Sequence, residues 1–336
     1  MNYIAERNKK TLEHLEVLKS HLPPFCNAFF VGIGGRTQPL TRLNYAYDLG
    51  NFFNYLSMES DIHRDIDTIN FTIDDLRSVE KRHIELYMEW LEKNGNDERG
   101  RSRKQSCLRT FFAYYFKNGD LEKNIMPNID MPKIHSKNII RLDDDEAKRI
   151  VQSAITGDEL TKGQMRFHNK NSFRDQVILT FLLETGVRVS EIVGLNVGDI
   201  DLRNKLFRVT RKGGNQAVLY LTTKLTKLLE EYLATKPDVN RPMFLGPDGK
   251  TRLGVRSIQN LVQKYASHAA PLKNISPHKL RSTFGTKLYQ ATNDIYAVAE
   301  TLGHVNVNTT RKHYADITEK QKRDAIAMLD KFKEEN

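Results

Sequence analysis

The sequence predicts a mainly α-helical chain with a small β-sheet, in which a helical first unit precedes a mixed α+β second unit. Three observations carry this. Apolar residues recur at three- and four-residue steps through most of the chain. Only around Lys212-Gly213-Gly214-Asn215 do two short apolar runs flank a glycine turn, as in a β-hairpin. Between Asn124 and Asn138 lie two prolines and little periodicity, as in an extended linker. The length of 336 residues suits about two domains of roughly 150 residues, each able to bury its own core. The boundaries expected are 1–125 for the first domain, 126–141 for the linker, 142–316 for the second domain and 317–336 for a helical tail.

The first helix runs from Tyr3 to His21 and is stopped by Pro23-Pro24. A second begins near Pro39-Leu40-Thr41, with Leu43, Ala46, Tyr47, Phe52, Phe53 and Leu56 building its apolar face. Ser78 to Leu91 makes a third, with Ile84, Tyr87, Met88 and Leu91 on one side. Asp97 caps a fourth, Glu98 to Phe116, whose early turns carry Arg99, Arg101, Arg103 and Lys104. The N-terminal end of a helix macrodipole is positive, so four cations there are locally unfavourable. Contact with a phosphate backbone would supply the missing negative charge; a solvated basic face is the other reading.

The second domain opens with the acidic turn Leu142-Asp-Asp-Asp-Glu146, leading into a helix with Ala147, Ile150 and Val151. Ser172 to Glu184 follows as a mostly buried helix, ended by Thr185-Gly186. Leu206–Arg211 and Ala217–Leu221 are the two strands of the hairpin, and helices resume at Thr223 and near Val255.

Composition narrows the function. The 52 basic against 42 acidic residues leave a net charge of +10, which favours nucleic acid as partner. There is no uncharged apolar run long enough to span a bilayer, so no membrane partner is expected. The first ten residues carry charges where a signal peptide needs an apolar stretch. Cys26 and Cys107 stand far apart and form no CxxC, which disfavours a zinc module and a disulfide framework; a reducing cytoplasm fits.

Several pieces of the second domain supply cations or proton carriers. Arg188 follows Thr185-Gly186-Val187, with Glu191 three positions on and so on the same helical face. Lys212 sits at the hairpin tip. His278 and Arg281 form an i, i+3 pair after Ser276-Pro277, a spacing suited to phosphate. Leu302-Gly303-His304 bounds a histidine in a turn, and Tyr314 follows ten residues later. Each feature alone has an ordinary structural reading: a surface ion pair, an exposed turn lysine, a satisfied histidine, an amphipathic core tyrosine.

In this order, Arg188 with Glu191, Lys212 in a hairpin, His278-x-x-Arg281, Leu302-Gly303-His304 and Tyr314 resemble the motifs of tyrosine recombinases, also called phage-integrase-type recombinases. The resemblance covers the second domain from about Leu142, as the catalytic domain. The first looks like the family's helical core-binding domain through Thr41, Tyr45, Asp48, Leu49 and Phe52. With no obvious further domain ahead of these helices, the layout is similar to that of simple Xer-like recombinases.

The resemblance implies an enzyme that breaks and rejoins DNA by transesterification through a 3′-phosphotyrosyl link. It implies strand exchange between two duplexes through a Holliday junction in a homotetramer, with or without a paralogous recombinase. Tyr314 would be the nucleophile, and Arg188 and Arg281 would clamp the scissile phosphate. His278 would be the base, Lys212 the acid, and His304 a further phosphate ligand. Glu191 would orient Arg188 or His278. No metal or other cofactor is implied. The tail would dock either on a neighbouring protomer or on its own domain. Two other readings use the same residues: a type IB topoisomerase-like enzyme relaxing supercoils as a monomer, and a non-catalytic DNA-binding architectural protein. The second has no need of a nucleophile.

Overall fold

The computed structural model describes residues 3–135, 140–211, 213–234, 238–304 and 306–314, with the backbone alone at 309 and 312–314. The chain divides into two compact units, Met1–Lys137 and Asn138–Asn336.

The described part of the first unit is helical: α1 (Tyr3–Lys19), α2 (Cys26–Gly34), α3 (Pro39–Glu59), α4 (Ile73–Ser78), α5 (Lys81–Lys93) and α6 (Glu98–Lys117). Its core is aromatic. Phe29, Phe52, Phe53, Tyr87, Phe111 and Phe112 are buried, and Phe29 meets Phe111 edge-on at 5.1 Å between ring centres. This edge-to-face geometry adds to the burial of each ring. On α3 the expected face is buried except for Tyr47, which lies beside α1 with its hydroxyl 3.2 Å from His14 Nε2. The expected third helix starts at Lys81 instead of Ser78, which is the last residue of the separate α4. Thr72 and Asp75 form a capping box that starts α4, and the Glu80 backbone N–H donates to His83 Nδ1 at 2.9 Å to start α5.

Asp97 caps α6 as expected, its side chain accepting from the Gly100 N–H at 2.8 Å. The start of the expected linker is bound into this unit instead of extended. Met126 and Ile129 are buried, and Gln105 and Arg109 of α6 donate to the Ile129 carbonyl. Gln105 also holds the carbonyl of Asp130 at 2.9 Å. Proline and low periodicity therefore mark an irregular strap over α6, because its backbone polar groups are met by side chains rather than by regular structure.

The second unit has α7 (Asp144–Thr156), α8 (Lys162–Thr185), α9 (Val189–Gly194), a sheet of β1 (Ile200–Asp201), β2 (Leu206–Thr210) and β3 (Gln216–Tyr220), then α10 (Thr223–Leu233), α11 (Val255–Ala269), α12 (Pro277–Thr292), α13 (Ile295–Leu302) and α14 (Val307–Tyr314). Asp143 and Glu146 form the capping box that starts α7. Helix α8 begins ten residues before the expected start, with Thr161 and Gln164 as its capping box. Its first half buries only the polar His168, so no apolar helical period shows there; Asp175 is buried within the expected stretch. Tyr265 of α11 donates to Asp175 at 2.9 Å and satisfies it.

The β2–β3 hairpin is antiparallel with Leu206 opposite Tyr220 and Thr210 opposite Gln216, and Gly213 and Gly214 take positive φ in its turn. Strand β1 adds an edge that its two-residue length hides in the sequence. Phe207 of β2 meets Phe181 of α8 edge-on at 4.9 Å. The sheet is thereby seated on the helix whose C-terminal end begins the site. Among the described residues no helix is long and apolar enough to cross a membrane. The tail expected over 317–336 lies outside the described residues.

Phe52→Ala would remove a fully buried ring that packs on Phe53 and Tyr87. We expect a loss of ~3 to 5 kcal/mol in the first unit. Denaturant unfolding followed by the fluorescence of Trp90, the one tryptophan of the chain, measures it; an unchanged midpoint would contradict this core assignment.

Candidate active site

The site is built where three chain corners meet. Helix α8 stops at Gly186, which takes φ +61°. Any side chain there would collide with Phe284 of α12, since a Cβ would lie 2.3 Å from that ring. Two residues later Arg188 is extended and starts α9. Glu191, 4% exposed, folds back on it from the first turn. One carboxylate oxygen accepts from the Arg188 backbone N–H at 2.9 Å, and the other from Arg188 Nη1 at 2.8 Å. The i, i+3 spacing thus yields a cap and an ion pair together. The partner of Glu191 is Arg188.

Arg281 projects from α12 and is 4% exposed. Its Nη1 donates to the Gly186 carbonyl at 2.7 Å and its Nη2 to the Leu302 carbonyl. Arg188 Nη2 donates to the next carbonyl, that of Gly303, at 3.1 Å. Both guanidiniums therefore rest on the C-terminal end of α13, where the final turn leaves carbonyls without helical partners and the macrodipole is negative. Gly303 ends that helix with φ +64°. His304 follows, its Nδ1 2.7 Å from Oγ1 of Thr310, a fully buried residue of α14 that fixes the orientation of the ring.

Arg188, Glu191, Arg281 and His304 are thus brought together from three parts of the sequence. His278 is exposed in the first turn of α12, one helical turn before Arg281. The backbone of Tyr314 closes α14 one turn beyond Thr310. Its side chain and the whole of Lys212 lie outside the described residues. Among the described residues no group of three or more His, Cys, Asp or Glu side chains is placed to hold a metal ion.

Two contributors escaped the sequence reading. Thr310 orients His304, and Arg211 sends its side chain to the carbonyls of Glu300 and Thr301. Neither has a sequence signal beyond its position four residues before Tyr314 or next to Lys212.

The four cations of the basic helix belong to the first unit. Arg101 pairs with Glu92 at 2.6 Å, and both Arg103 and Lys104 pair with Asp48 of α3. Asp48 is 2% exposed, and its burial pushes the carboxyl pKa up despite those two cations. Arg99 is exposed on the first turn. Two carboxylates of the protein itself therefore stand against the four positive charges of this turn, Asp48 being shared by two of them.

Comparison with known proteins adds three findings. Residues 141–321 match the phage integrase family. Tyrosine recombinase XerC of Caldanaerobacter subterraneus subsp. tengcongensis is 32% identical over 335 residues, covering 95% of this chain and 89% of the relative. Among solved structures, the XerH site-specific recombinase bound to difH substrate superposes with a TM-score of 0.64 at 21% identity, covering 87% of this chain and 80% of that one. The lambda integrase (75–356) dimer bound to a COC′ core site also gives 0.64, at 15% identity, covering 85% and 96%.

Glu191→Ala would leave Arg188 without its carboxylate and the start of α9 without its cap. We expect a stability loss of about 1 to 3 kcal/mol, with Glu191→Gln losing less because it keeps an acceptor for the Arg188 N–H. Thermal unfolding of the two variants measures the difference; equal stability of both with the parent would show that the pair does not hold Arg188.

Proposed function

This chain belongs to the phage integrase family of tyrosine recombinases, and from that membership we propose that it is a site-specific DNA recombinase working through a 3′-phosphotyrosyl intermediate. The observation that carries the reading is the convergence of Arg188, Arg281 and His304 on residues 302–304, next to the helix that ends at Tyr314. A scissile phosphate develops additional negative charge as it passes through a five-coordinate transition state. Two guanidiniums held in fixed orientation offer it planar, charge-assisted hydrogen bonds.

The Tyr314 hydroxyl attacks phosphorus and gives its proton to His278. The P–O5′ bond breaks, and the departing oxygen takes a proton from Lys212. A free phenol has a pKa of about 10, so the neighbouring cations and the base are needed before it attacks. His304 bonds a further phosphate oxygen, and Glu191 acts through Arg188. The phosphotyrosyl link conserves the energy of the broken bond, so a 5′-hydroxyl from a second duplex can reverse the step and exchange strands. The full reaction is a pair of such exchanges through a Holliday junction in a homotetramer on double-stranded DNA. The two units supply the surfaces for the duplex, with positive charge positioning the phosphates.

A nicked suicide duplex carrying the cognate site tests this. The parent protein should form a denaturation-resistant DNA adduct equally with and without EDTA, whereas Tyr314→Phe should bind the duplex and form none. An adduct with the Phe variant would refute the nucleophile assignment. Arg281→Lys should slow adduct formation by about 10²- to 10³-fold, because an ammonium cannot reproduce a planar fork; adduct formation at the parental rate would remove Arg281 from the chemistry.

A further inference from the structure

The last four carbonyls at the end of α13 are occupied by three arginines. Gly303 holds Arg188 and Leu302 holds Arg281, while Thr301 and Glu300 hold Arg211. Arg211 Nη2 lies 3.0 Å from the Thr301 oxygen, and both terminal nitrogens lie 3.5 Å from that of Glu300. Its guanidinium also covers Gly303: a Cβ there would fall 2.1 Å from Nη1 and 2.4 Å from Cζ. The same residue closes the hairpin turn, its N–H donating to the Asn215 carbonyl at 2.7 Å and its carbonyl accepting from Gly214 at 3.1 Å. One residue therefore belongs at once to the turn that carries Lys212 and to the carbonyl block on which both other arginines rest.

We propose that Arg211 is a positioning residue for DNA cleavage, anchoring the β2–β3 turn to the end of α13 so that the following residue, Lys212, is delivered to the leaving oxygen. The inference rests on the function proposed above. It adds a residue whose terminal guanidinium nitrogens and backbone N–H go to backbone carbonyls, and which acts on the chemistry only through the chain it holds. Loss of this anchor leaves the Arg188 and Arg281 bonds in place and releases the turn, so the deficit falls on protonation of the leaving group.

That step can be isolated by chemistry. With the ordinary phosphodiester, breaking P–O5′ requires a proton for the departing alkoxide. When the 5′-bridging oxygen is replaced by sulfur, P–S breaks to release a thiolate that needs none. The probe is a nicked duplex carrying a site selected from random-sequence DNA by the parent protein, prepared in both forms.

Arg211→Met should match the parent in thermal unfolding and in non-covalent DNA affinity. It should form the adduct roughly 10- to 100-fold more slowly on the phosphodiester, and at close to the parental rate on the sulfur substrate. Lys212→Ala should show the same rescue. Arg211→Gln, which keeps one donor for a carbonyl, provides the same contrast if the Met variant unfolds. Equal slowing of the Arg211 variants on both substrates, with Lys212→Ala rescued, overturns this inference and leaves the proposed reaction standing; so does parental cleavage of the phosphodiester by Arg211→Met. Failure of sulfur to rescue Lys212→Ala instead removes the leaving-group role of Lys212, and absence of any adduct from the parent removes the reaction itself.

Discussion

The end of α13 is the constraint on which the site depends. A helix that terminates in a left-handed glycine presents its last carbonyls in one direction, and they require donors. Arginines buried or half-buried nearby require negative charge. Each need meets the other: three guanidiniums from α9, α12 and the end of β2 share four successive carbonyls. Because these acceptors are backbone oxygens, they set the positions of the cations without cancelling a full charge; the carboxylate of Glu191 on Arg188 cancels one of the three. In the proposed reaction the remaining positive potential meets the scissile phosphate. Preorganised charge of this kind lowers a barrier because little reorientation remains to be done during the reaction.

Glycine is what makes the approach close. At 186 and 303 the backbone takes positive φ, and at each position a Cβ would overlap a neighbouring side chain, Phe284 or Arg211. Elsewhere the protein handles charge differently. On α6 the cations Arg101, Arg103 and Lys104 are paired with Glu92 and the buried Asp48, so that Asp48 joins α3 to α6. Basic residues that look alike in sequence thus divide into a set paired with carboxylates and a set seated on peptide carbonyls, to which Glu191 adds one carboxylate.

Much of the fold was legible. Asp97 and Asp143 announce the starts of α6 and α7, and the glycine turn announces the hairpin. What was misread has specific causes. The first half of α8 is not legible because its one buried position is the polar His168, set against Tyr265 of another helix, which one-dimensional periodicity cannot register. Tyr47 was placed in the core on spacing, yet α1 meets its side chain at the surface. The strap after Met126 reads as a linker because its order comes from Gln105 and Arg109, about twenty residues earlier.

By itself the sequence determined the chemical inventory: paired arginines, histidines and a tyrosine in a recognisable order, on helices whose caps and spacing follow local rules. Those rules act over three or four residues, the range of a helical turn, and so survive reading in one dimension. Tertiary structure alone decided which of these groups meet. The carbonyls that seat Arg188, Arg281 and Arg211 lie between 21 and 115 residues away along the chain. A backbone oxygen is the same in every residue, so no side-chain code marks it as a partner, and only the folded path of α13 brings those oxygens within reach.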